Sequence, residues 1–388
     1  MRTSKRIKSL PPYLFATLDR KKSEARARGI DIIDFGVGDP DLPTPDHIVE
    51  AAAKAVRDPA THRYPSYYGM EEFRTAIASY YQRRFGVDVD PQTQVLPLIG
   101  GKEGIAHLAS AFVDPEDLVL IPDPAYPVYE TSALLAGGKI ETLPLTPETG
   151  YLPQLDQIHP DQAMLSKILW LNYPNNPTGA VCTEELFEQA VELCQQFDLL
   201  LAHDAAYSEI TYDGYVAPSL LQVSGASDHG IEFGSVSKTF NMTGWRVGWA
   251  VGAPTAIEAL GRVKTNIDSG IFNALQIAAI AALEGPTDST ARMVEIYQRR
   301  RDLLVDGLNA AGWDVERPKG SIYIWAKVPN GNSSIEFTEF LLEKAGVIVA
   351  PGSGYGRHGE GYVRFSLTID DALLSEGVDR ITSALVKS

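Results

Sequence analysis

The chain has 388 residues, 44% hydrophobic and 22% charged, a composition typical of a globular protein long enough for two domains. Its formal net charge of −16 argues against nucleic acid or an anionic membrane as the main partner, because both would repel so acidic a surface. No apolar run approaches the roughly 18 residues that span a bilayer, and the two cysteines, Cys182 and Cys194, lack metal-ligand spacing. We expect a cytoplasmic protein with reduced thiols, no membrane segment and no metal site.

The first half of the chain predicts helices and strands in alternation. The basic N-terminus lacks the apolar segment of a secretion signal and leads directly into a helix-like stretch, residues 16–29. From about residue 90 to 250 short apolar segments alternate with amphipathic ones, such as residues 183–196 with Thr183 as N-cap. The clearest predicted strands are Leu118–Pro122, Lys167–Leu171, Leu199–His203, Gly230–Ser235 and Arg246–Gly252. This alternation predicts an α/β fold with a mostly parallel sheet covered by helices.

The C-terminal hundred residues predict a smaller α+β domain. A long amphipathic helix over residues 291–311 leads to strands near residues 321–327, 347–350 and 362–367. We expect the N-terminal 40 or so residues to pack beside them. The predicted boundaries are 46–285 for the large domain, with 1–45 and 286–388 forming the small one.

Polar residues follow four successive predicted strands, at the carboxyl ends where ligands bind in parallel sheets. These residues are Asp123 and Tyr126, then Asn172, Asn175 and Asn176, then Asp204 and Tyr207, and finally Ser235, Ser237 and Lys238. Taken singly, each has an ordinary structural interpretation, since an Asp after a strand is commonly a cap and Asn-Asn-Pro-Thr-Gly is a turn sequence. Four such clusters in register favour one shared site.

The same region favours a bound anion. Residues 233–257 contain no acid and only two charges, Lys238 and Arg246, in a chain with 50 acids. Ser235 and Ser237 add hydroxyl donors, and Gly100–Gly104 is expected to begin a helix whose backbone N–H groups suit a phosphate. The Gly-Lys-Ser/Thr ending of an ATP-binding loop is absent, as is an early G-x-G-x-x-G, so neither ATP nor NAD is indicated.

Lys238 and Asp204 suggest carbonyl chemistry on a cofactor. A partly desolvated lysine near a second cation and away from carboxylates favours its neutral amine, which forms a Schiff base with an aldehyde. An aspartate held against a pyridinium nitrogen lets that ring accept electrons from a substrate. The alternatives are a solvated loop lysine and a capping aspartate.

With these residues assembled, the chain resembles the fold-type I, pyridoxal-phosphate-dependent class I and II aminotransferases over nearly its whole length. The resemblance rests on NYPNNPTGAV, HDAAYSEI and SVSKTFNMTGWRVG, in the family's order and spacing, and on RYPSYYG, LIGGKEG, PDPAYPVY and YVRFSL. It implies that Lys238 carries pyridoxal 5'-phosphate and shuttles a proton, and that Asp204 holds the pyridine nitrogen.

The resemblance also assigns the other site residues. Tyr207 and Asn176 would hydrogen-bond the cofactor's phenolic oxygen, and Tyr126 would stack on its ring. The implied phosphate cup consists of Ser235, Ser237, Arg246 and the amides of Gly101 and Lys102. Tyr64 would reach the phosphate of a neighbouring subunit, which implies a homodimer with shared sites. Arg364 would bind the substrate carboxylate, and Gly38 and Asn176 would line the substrate pocket.

Four blocks, GKEGIAHL, HDAAYSEI, NMTGWRVG and VKTNIDSGIF, are most similar to LL-diaminopimelate aminotransferases. The implied reaction exchanges an amino group between glutamate and tetrahydrodipicolinate, in lysine biosynthesis, with 2-oxoglutarate as the other keto acid. The partners would thus be small amino and 2-oxo acids. Three alternatives remain: a general aspartate, alanine or aromatic aminotransferase, a carbon–sulfur lyase on the same fold, and a non-catalytic binding domain.

Overall fold

A computed structural model describes residues 1–10 and 14–386. Its strands are β1 (Ile33–Asp34), β2 (Val95–Leu98), β3 (Leu118–Asp123), β4 (Lys139–Pro144), β5 (Ser166–Leu171), β6 (Leu200–Asp204), β7 (Gly230–Ser235), β8 (Gly248–Gly252), β9 (Tyr323–Lys327), β10 (Val347–Ile348), β11 (Ala350–Pro351) and β12 (Tyr362–Ser366). The five clearest strand predictions are each confirmed to within two residues. The strand predicted over residues 246–252 begins two residues later in the structure, at Gly248. The reason is that Arg246 adopts a left-handed backbone conformation with φ 55°.

The helices cover most of the remaining chain. They are α1 (Lys5–Ser9), α2 (Leu14–Ala27), α3 (Asp46–Val56), α4 (Glu71–Phe85), α5 (Gly101–Phe112), α6 (Val128–Ala136), α7 (Pro160–Leu165), α8 (Glu184–Phe197), α9 (Ala226–His229), α10 (Val236–Thr239), α11 (Pro254–Thr265), α12 (Asn273–Glu284), α13 (Asp288–Ala310), α14 (Ser334–Ala345) and α15 (Asp371–Val386). Thr183 is the N-cap of α8, although its side chain makes no capping hydrogen bond. Within the described part of the chain, no helix has the length and apolar character to cross a membrane.

A seven-stranded sheet organises the larger part of the molecule, in the order β2-β8-β7-β6-β5-β3-β4. The five strands from β7 to β4 pair in parallel, which confirms the prediction of a mostly parallel sheet. Strand β8 is antiparallel to both of its neighbours, β7 and β2. The carboxyl ends of β2, β3, β5, β6 and β7 therefore share one edge with the beginning of β8.

Apolar side chains cover both faces of this sheet. In β6, Leu200 and Ala202 join a core cluster with α5, α6 and α11, whereas Leu201 belongs to a second cluster with α8. Helix α8 buries Leu186, Phe187, Ala190, Val191 and Cys194 on one side and exposes its acids on the other. Burial on both faces explains why these strands read as continuous apolar runs in the sequence.

The C-terminal segments form a second, separate core around the antiparallel sheet β11-β12-β9 and helices α13, α14 and α15. Strand β1 returns from the N-terminal segment to pair with β10, as expected. The single strand predicted over residues 347–350 is wrong, because β10 pairs with β1 and β11 turns away to pair with β12. Residues 11–13 and 387–388 of the predicted small domain lie outside the described part, and the domain boundaries stay a prediction.

Candidate active site

Asp204 is the last residue of β6, and its carboxylate is buried, with 7% of the residue exposed. Its Oδ2 accepts a hydrogen bond from the hydroxyl of Tyr129 at 2.8 Å, and its Oδ1 accepts one from the backbone N–H of Ala206 at 3.2 Å. Burial raises the pKa of the Asp204 carboxyl, while these two hydrogen bonds act in the opposite direction. The carboxylate is thus fixed in direction and does not cap a helix.

Lys238 lies in the short helix α10, directly after β7, where the side chain of Ser235 caps the helix by accepting from the N–H of Ser237. Its Nζ donates to the carbonyl oxygen of Gly38 at 2.5 Å. Burial lowers the pKa of the Lys238 ammonium, and the charges of Arg364 and Arg246 lower it further. The expectation that no carboxylate lies nearby is wrong, because the charge of Asp39 acts on Lys238 and partly opposes this shift.

Arg246 lies beside the beginning of α5, at the edge shared by β2, β7 and β8. A Cβ on Gly100 would come within 2.4 Å of Arg246 Nη2, so the guanidinium rests directly against the loop after β2. Helix α5 begins at Gly101 with Gly100 as its N-cap, which leaves backbone N–H groups pointing out of its first turn. Arg246 thus lies at the end of a helix that favours an anion, and Ser235 and Ser237 follow β7 at the same edge of the sheet.

The loop after β5 is held in place by asparagine side chains. Asn172 donates from Nδ2 to the carbonyl oxygen of Asp204 at 2.7 Å and accepts from the N–H of Asn176 at 2.8 Å. Asn175 Oδ1 accepts from the backbone and hydroxyl of Thr178, which closes the turn. The asparagines therefore form the turn predicted from the sequence and also hold the loop against Asp204.

Arg364 is buried in β12 and reaches across to this loop. Its Nη1 donates to Asn176 Oδ1 at 2.8 Å and its Nη2 donates to the carbonyl oxygen of Gly36 at 2.9 Å. Its guanidinium carbon lies 3.9 Å from the ring centroid of Tyr323. The alternative of an exposed strand arginine is excluded, since only 1% of Arg364 is exposed.

The hydroxyl groups of two buried tyrosines lie next to each other near Arg364. Tyr207 Oη and Tyr323 Oη lie 3.1 Å apart, and both residues are buried. Burial raises the pKa of Tyr207 well above its ordinary value. Burial also raises the pKa of Tyr323, but the charges of Arg364 and Lys238 outweigh it, so that its pKa is lowered overall. Tyr323 therefore lies within the influence of two cations, Arg364 and Lys238.

Tyr126 follows β3 and is half-buried. Its ring packs edge-on against that of Tyr129, with centroids 5.9 Å apart. A cavity of about 920 Å³ borders it, lined also by Asp123, Glu130 and Tyr355. Asp123 joins this loop to the C-terminal part of the chain, because its carboxylate accepts from the backbone and ring of His358.

Not every predicted residue reaches the centre of this site. Tyr64 is 88% exposed, so that its side chain does not pack into the site of its own chain. The side chain of Lys102 is also exposed, which is compatible with a role for its backbone amide alone. The other eleven predicted site residues lie along the shared sheet edge or on segments that pack against it.

The sequence interpretation missed Tyr129 and Tyr323. Tyr129 stands one helical turn after Tyr126, so the spacing in PDPAYPVY was a usable signal. Tyr323 depends on the pairing of β9 with β12, where Tyr323 lies opposite Ser366 and Trp325 lies opposite Arg364. That register cannot be read from either strand alone.

The donor set fits a pyridoxal phosphate. A buried carboxylate, a buried lysine of lowered pKa and a helix N-terminus with a guanidinium are placed to hold a ring nitrogen, an aldehyde and a phosphate. A Cβ on Gly101 would meet nothing closer than the carbonyl oxygen of Gly234 at 3.8 Å, so there is space beside the first turn of α5.

Comparison with known proteins agrees with this geometry. The family model described as aminotransferase class I and II matches residues 30–381. The LL-diaminopimelate aminotransferase of Moorella thermoacetica is 53% identical over 387 residues, which cover 100% of this chain and 99% of that protein. Substrate-bound BacF from Bacillus subtilis superposes with a TM-score of 0.96 at 37% identity, over 99% of this chain and 98% of that one. A mutant aspartate aminotransferase of Thermus thermophilus gives 0.92 at 31%, over 99% and 100%. The chain belongs to the class I and II aminotransferases, enzymes that use pyridoxal phosphate.

Proposed function

We propose that this aminotransferase exchanges an amino group between glutamate and tetrahydrodipicolinate, forming LL-diaminopimelate and 2-oxoglutarate. The observation that supports this choice of substrate is the 53% identity, over the whole chain, to the LL-diaminopimelate aminotransferase of Moorella thermoacetica.

The proposed chemistry centres on Lys238. When bound, the cofactor supplies an aldehyde that takes up the amino group and a ring that accepts electrons from the substrate. Lys238 holds the cofactor. When its amine is no longer bound to the cofactor, the neutral amine moves a proton at the substrate α-carbon. Its lowered pKa suits this task, because burial favours the neutral amine over the ammonium.

The remaining residues orient and charge the cofactor. Asp204 would hold a proton at the pyridine nitrogen, and the hydrogen bond from Tyr129 fixes the direction of its carboxylate. Tyr207 and Asn176 would hydrogen-bond the phenolic oxygen, and Tyr126 would stack on the ring. The phosphate is bound by Ser235, Ser237, Arg246 and the amides of Gly101 and Lys102.

Arg364 binds the α-carboxylate of the amino acid. A planar guanidinium makes two parallel hydrogen bonds to a carboxylate, and the bonds to Asn176 and Gly36 hold it ready. The segment with Gly38 covers Lys238 and lines the pocket. A Cβ on Gly38 would come within 2.1 Å of Tyr323 Oη, so only glycine fits there.

We further propose a cytoplasmic homodimer with shared sites. The exposed Tyr64 supports this assembly, since a buried partner surface would account for a tyrosine that its own chain does not cover. Cys182 and Cys194 are buried, free thiols, as in a reducing compartment.

A substrate panel tests the proposal. Purified enzyme is mixed with LL-diaminopimelate, aspartate, alanine or tyrosine, each with 2-oxoglutarate, and glutamate formation is measured. Selective turnover of LL-diaminopimelate is expected. Faster turnover of another amino acid would favour the general aminotransferase represented by the Thermus thermophilus structure, and pyruvate and ammonia from a cysteine conjugate without a keto acid would favour a lyase.

A further inference from the structure

Tyr323 occupies a central position in the site although no motif led to it. It is the first residue of β9, and its side chain lies on the same face of the sheet as Arg364, since Tyr323 pairs with Ser366 and Arg364 with Trp325. Only 3% of Tyr323 is exposed. Packing against other protein groups, rather than solvent, therefore determines the position of its ring.

The ring of Tyr323 lies under the guanidinium of Arg364. The 3.9 Å between the guanidinium carbon and the ring centroid is the shortest of the cation–ring distances among the described residues, and the ring of Tyr355 lies 4.9 Å away. An aromatic face attracts a cation most strongly where water is excluded, and Arg364 is buried. The contact therefore holds the cation against the ring.

To make two parallel hydrogen bonds to a carboxylate, a guanidinium must present the correct edge and hold its plane in the correct orientation. The bonds from Arg364 to Asn176 Oδ1 and the Gly36 carbonyl oxygen set the direction of its edge. With these two bonds alone, the guanidinium could still rotate about the line that joins the two acceptors. The flat ring of Tyr323 beneath the guanidinium opposes that rotation. Tilting would lengthen one of the two bonds to the carboxylate.

We propose that Tyr323 is a positioning residue for the substrate α-carboxylate, acting through Arg364, whose guanidinium plane its ring fixes. This rests on the proposed role of Arg364. The hydroxyl of Tyr323 lies 3.1 Å from that of Tyr207 and also interacts with Arg364, so the contributions of ring and hydroxyl are separated by two variants.

Two variants at one position separate these parts. Tyr323→Phe keeps the ring and removes the hydroxyl, whereas Tyr323→Leu removes the aromatic face. Dissociation constants for glutamate and LL-diaminopimelate are measured from the absorbance change of the bound cofactor, and the cofactor's own dissociation constant is measured in parallel. Tyr323→Leu is expected to raise both amino-acid constants about tenfold and by the same factor, and Tyr323→Phe by less than about threefold. The cofactor constant should change much less than either.

Several results would overturn this role: an equal loss in both variants, no loss in Tyr323→Leu, or a loss for one amino acid only. The Tyr323→Leu change is repeated in an Arg364→Lys background, which lacks the planar group. There it should add less than about twofold, whereas a full tenfold addition would show that Tyr323 does not act through Arg364. Unchanged amino-acid binding in Arg364→Lys itself would overturn the role of Arg364 as well. If Tyr323→Leu does not fold, Tyr323→Met serves in its place.

Discussion

At the scale of single residues, Tyr129 determines the state of Asp204. Its hydroxyl donates to the buried carboxylate and lowers a pKa that burial raises. Tyr129→Phe removes this donor, and we expect the cofactor's dissociation constant to rise about tenfold, since a hydrogen bond to a charged group contributes about 1.5 kcal/mol. The measurement is a titration of apoenzyme with pyridoxal phosphate, followed by absorbance.

A second tyrosine provides the control for that variant. Tyr212 is also buried, but its hydroxyl donates to the carbonyl oxygen of Ser321, away from Asp204. Tyr212→Phe should lower stability while leaving cofactor affinity intact. Equal loss of affinity in both variants would attribute the effect to general loosening and contradict the role of Tyr129.

Lys238 predicts a pH dependence of apoenzyme stability. Burial lowers its pKa in the folded chain, so between that value and about 10.4 the unfolded chain binds more protons, and stability rises with pH. Stability is correspondingly lost as pH falls from about 10.4 to the folded pKa and is constant below it. Lys238→Met has no ammonium to bury, so the variant apoenzyme should have the higher free energy of unfolding near pH 7. The difference from the wild-type apoenzyme should shrink toward about pH 10.

Urea unfolding of the two apoenzymes over that pH range measures the margin. A difference in unfolding free energy that does not change with pH would show that the Lys238 ammonium is not penalised by burial in the folded chain. Because both proteins are measured without cofactor, the result does not depend on activity.

The sequence was most informative about residues at strand ends. In a parallel sheet, Asp204, Lys238 and Asn176 lie at one edge whatever the exact packing, so order along the chain was enough to predict their proximity. The contact of Tyr323 with Arg364 depends on the register between two strands about forty residues apart, which no local pattern contains. The charge of Asp39 near Lys238 depends in the same way on how the N-terminal segment folds back.

At the scale of elements, one ion-pair cluster fixes the segment that covers the site. Arg300 in α13 makes two hydrogen bonds to the carboxylate of Asp41, at 2.8 and 2.9 Å, and a third to Asp371 at the start of α15. Asp41 lies three residues after Gly38, whose carbonyl oxygen meets Lys238. The cluster thus joins α13 and α15 to the pocket wall.

Arg300→Met is expected to lower the free energy of unfolding by roughly 3 kcal/mol, because it leaves two carboxylates without their buried partner. It should also raise KM for the amino acid as the covering segment loosens. Arg299→Met is the matched control, since Arg299 also pairs with Asp371 but its side chain is 59% exposed, and its loss should stay within about 0.5 kcal/mol. Equal losses in urea unfolding would contradict the argument.

Elements themselves were predictable where one pattern dominated. Strands β3, β5, β6 and β7 are apolar runs between polar turns, and their bounds were predicted closely. Residues 347–350 were not, because Val347, Ile348, Val349 and Ala350 are all buried and the sequence carries no mark of the point where the chain leaves one sheet for another.

At the scale of the whole molecule, the proposed homodimer predicts how mixed subunits behave. Tyr64→Ala removes the residue proposed to serve the neighbouring site, and Lys238→Ala removes the lysine of a subunit's own site. A mixed dimer of these two variants contains one intact site. Random reassembly from equal amounts should therefore recover about a quarter of wild-type activity, since half the dimers are mixed and each has one working site.

The same mixture tests the assembly independently of either residue's detailed role. Each variant alone should have low activity, and the mixture should exceed both only after unfolding and refolding together. Activity that never exceeds the sum of the separate variants would show that Tyr64 does not serve a neighbouring subunit.

The most direct test of the account is to locate the cofactor on the chain. Purified enzyme is treated with borohydride, which fixes the cofactor to the lysine that holds it, and the digested protein is analysed by mass spectrometry. The pyridoxyl group is predicted on the peptide containing Lys238. A label on Lys102 or Lys264 instead, with none on Lys238, would contradict the site as assembled from the ends of the parallel strands.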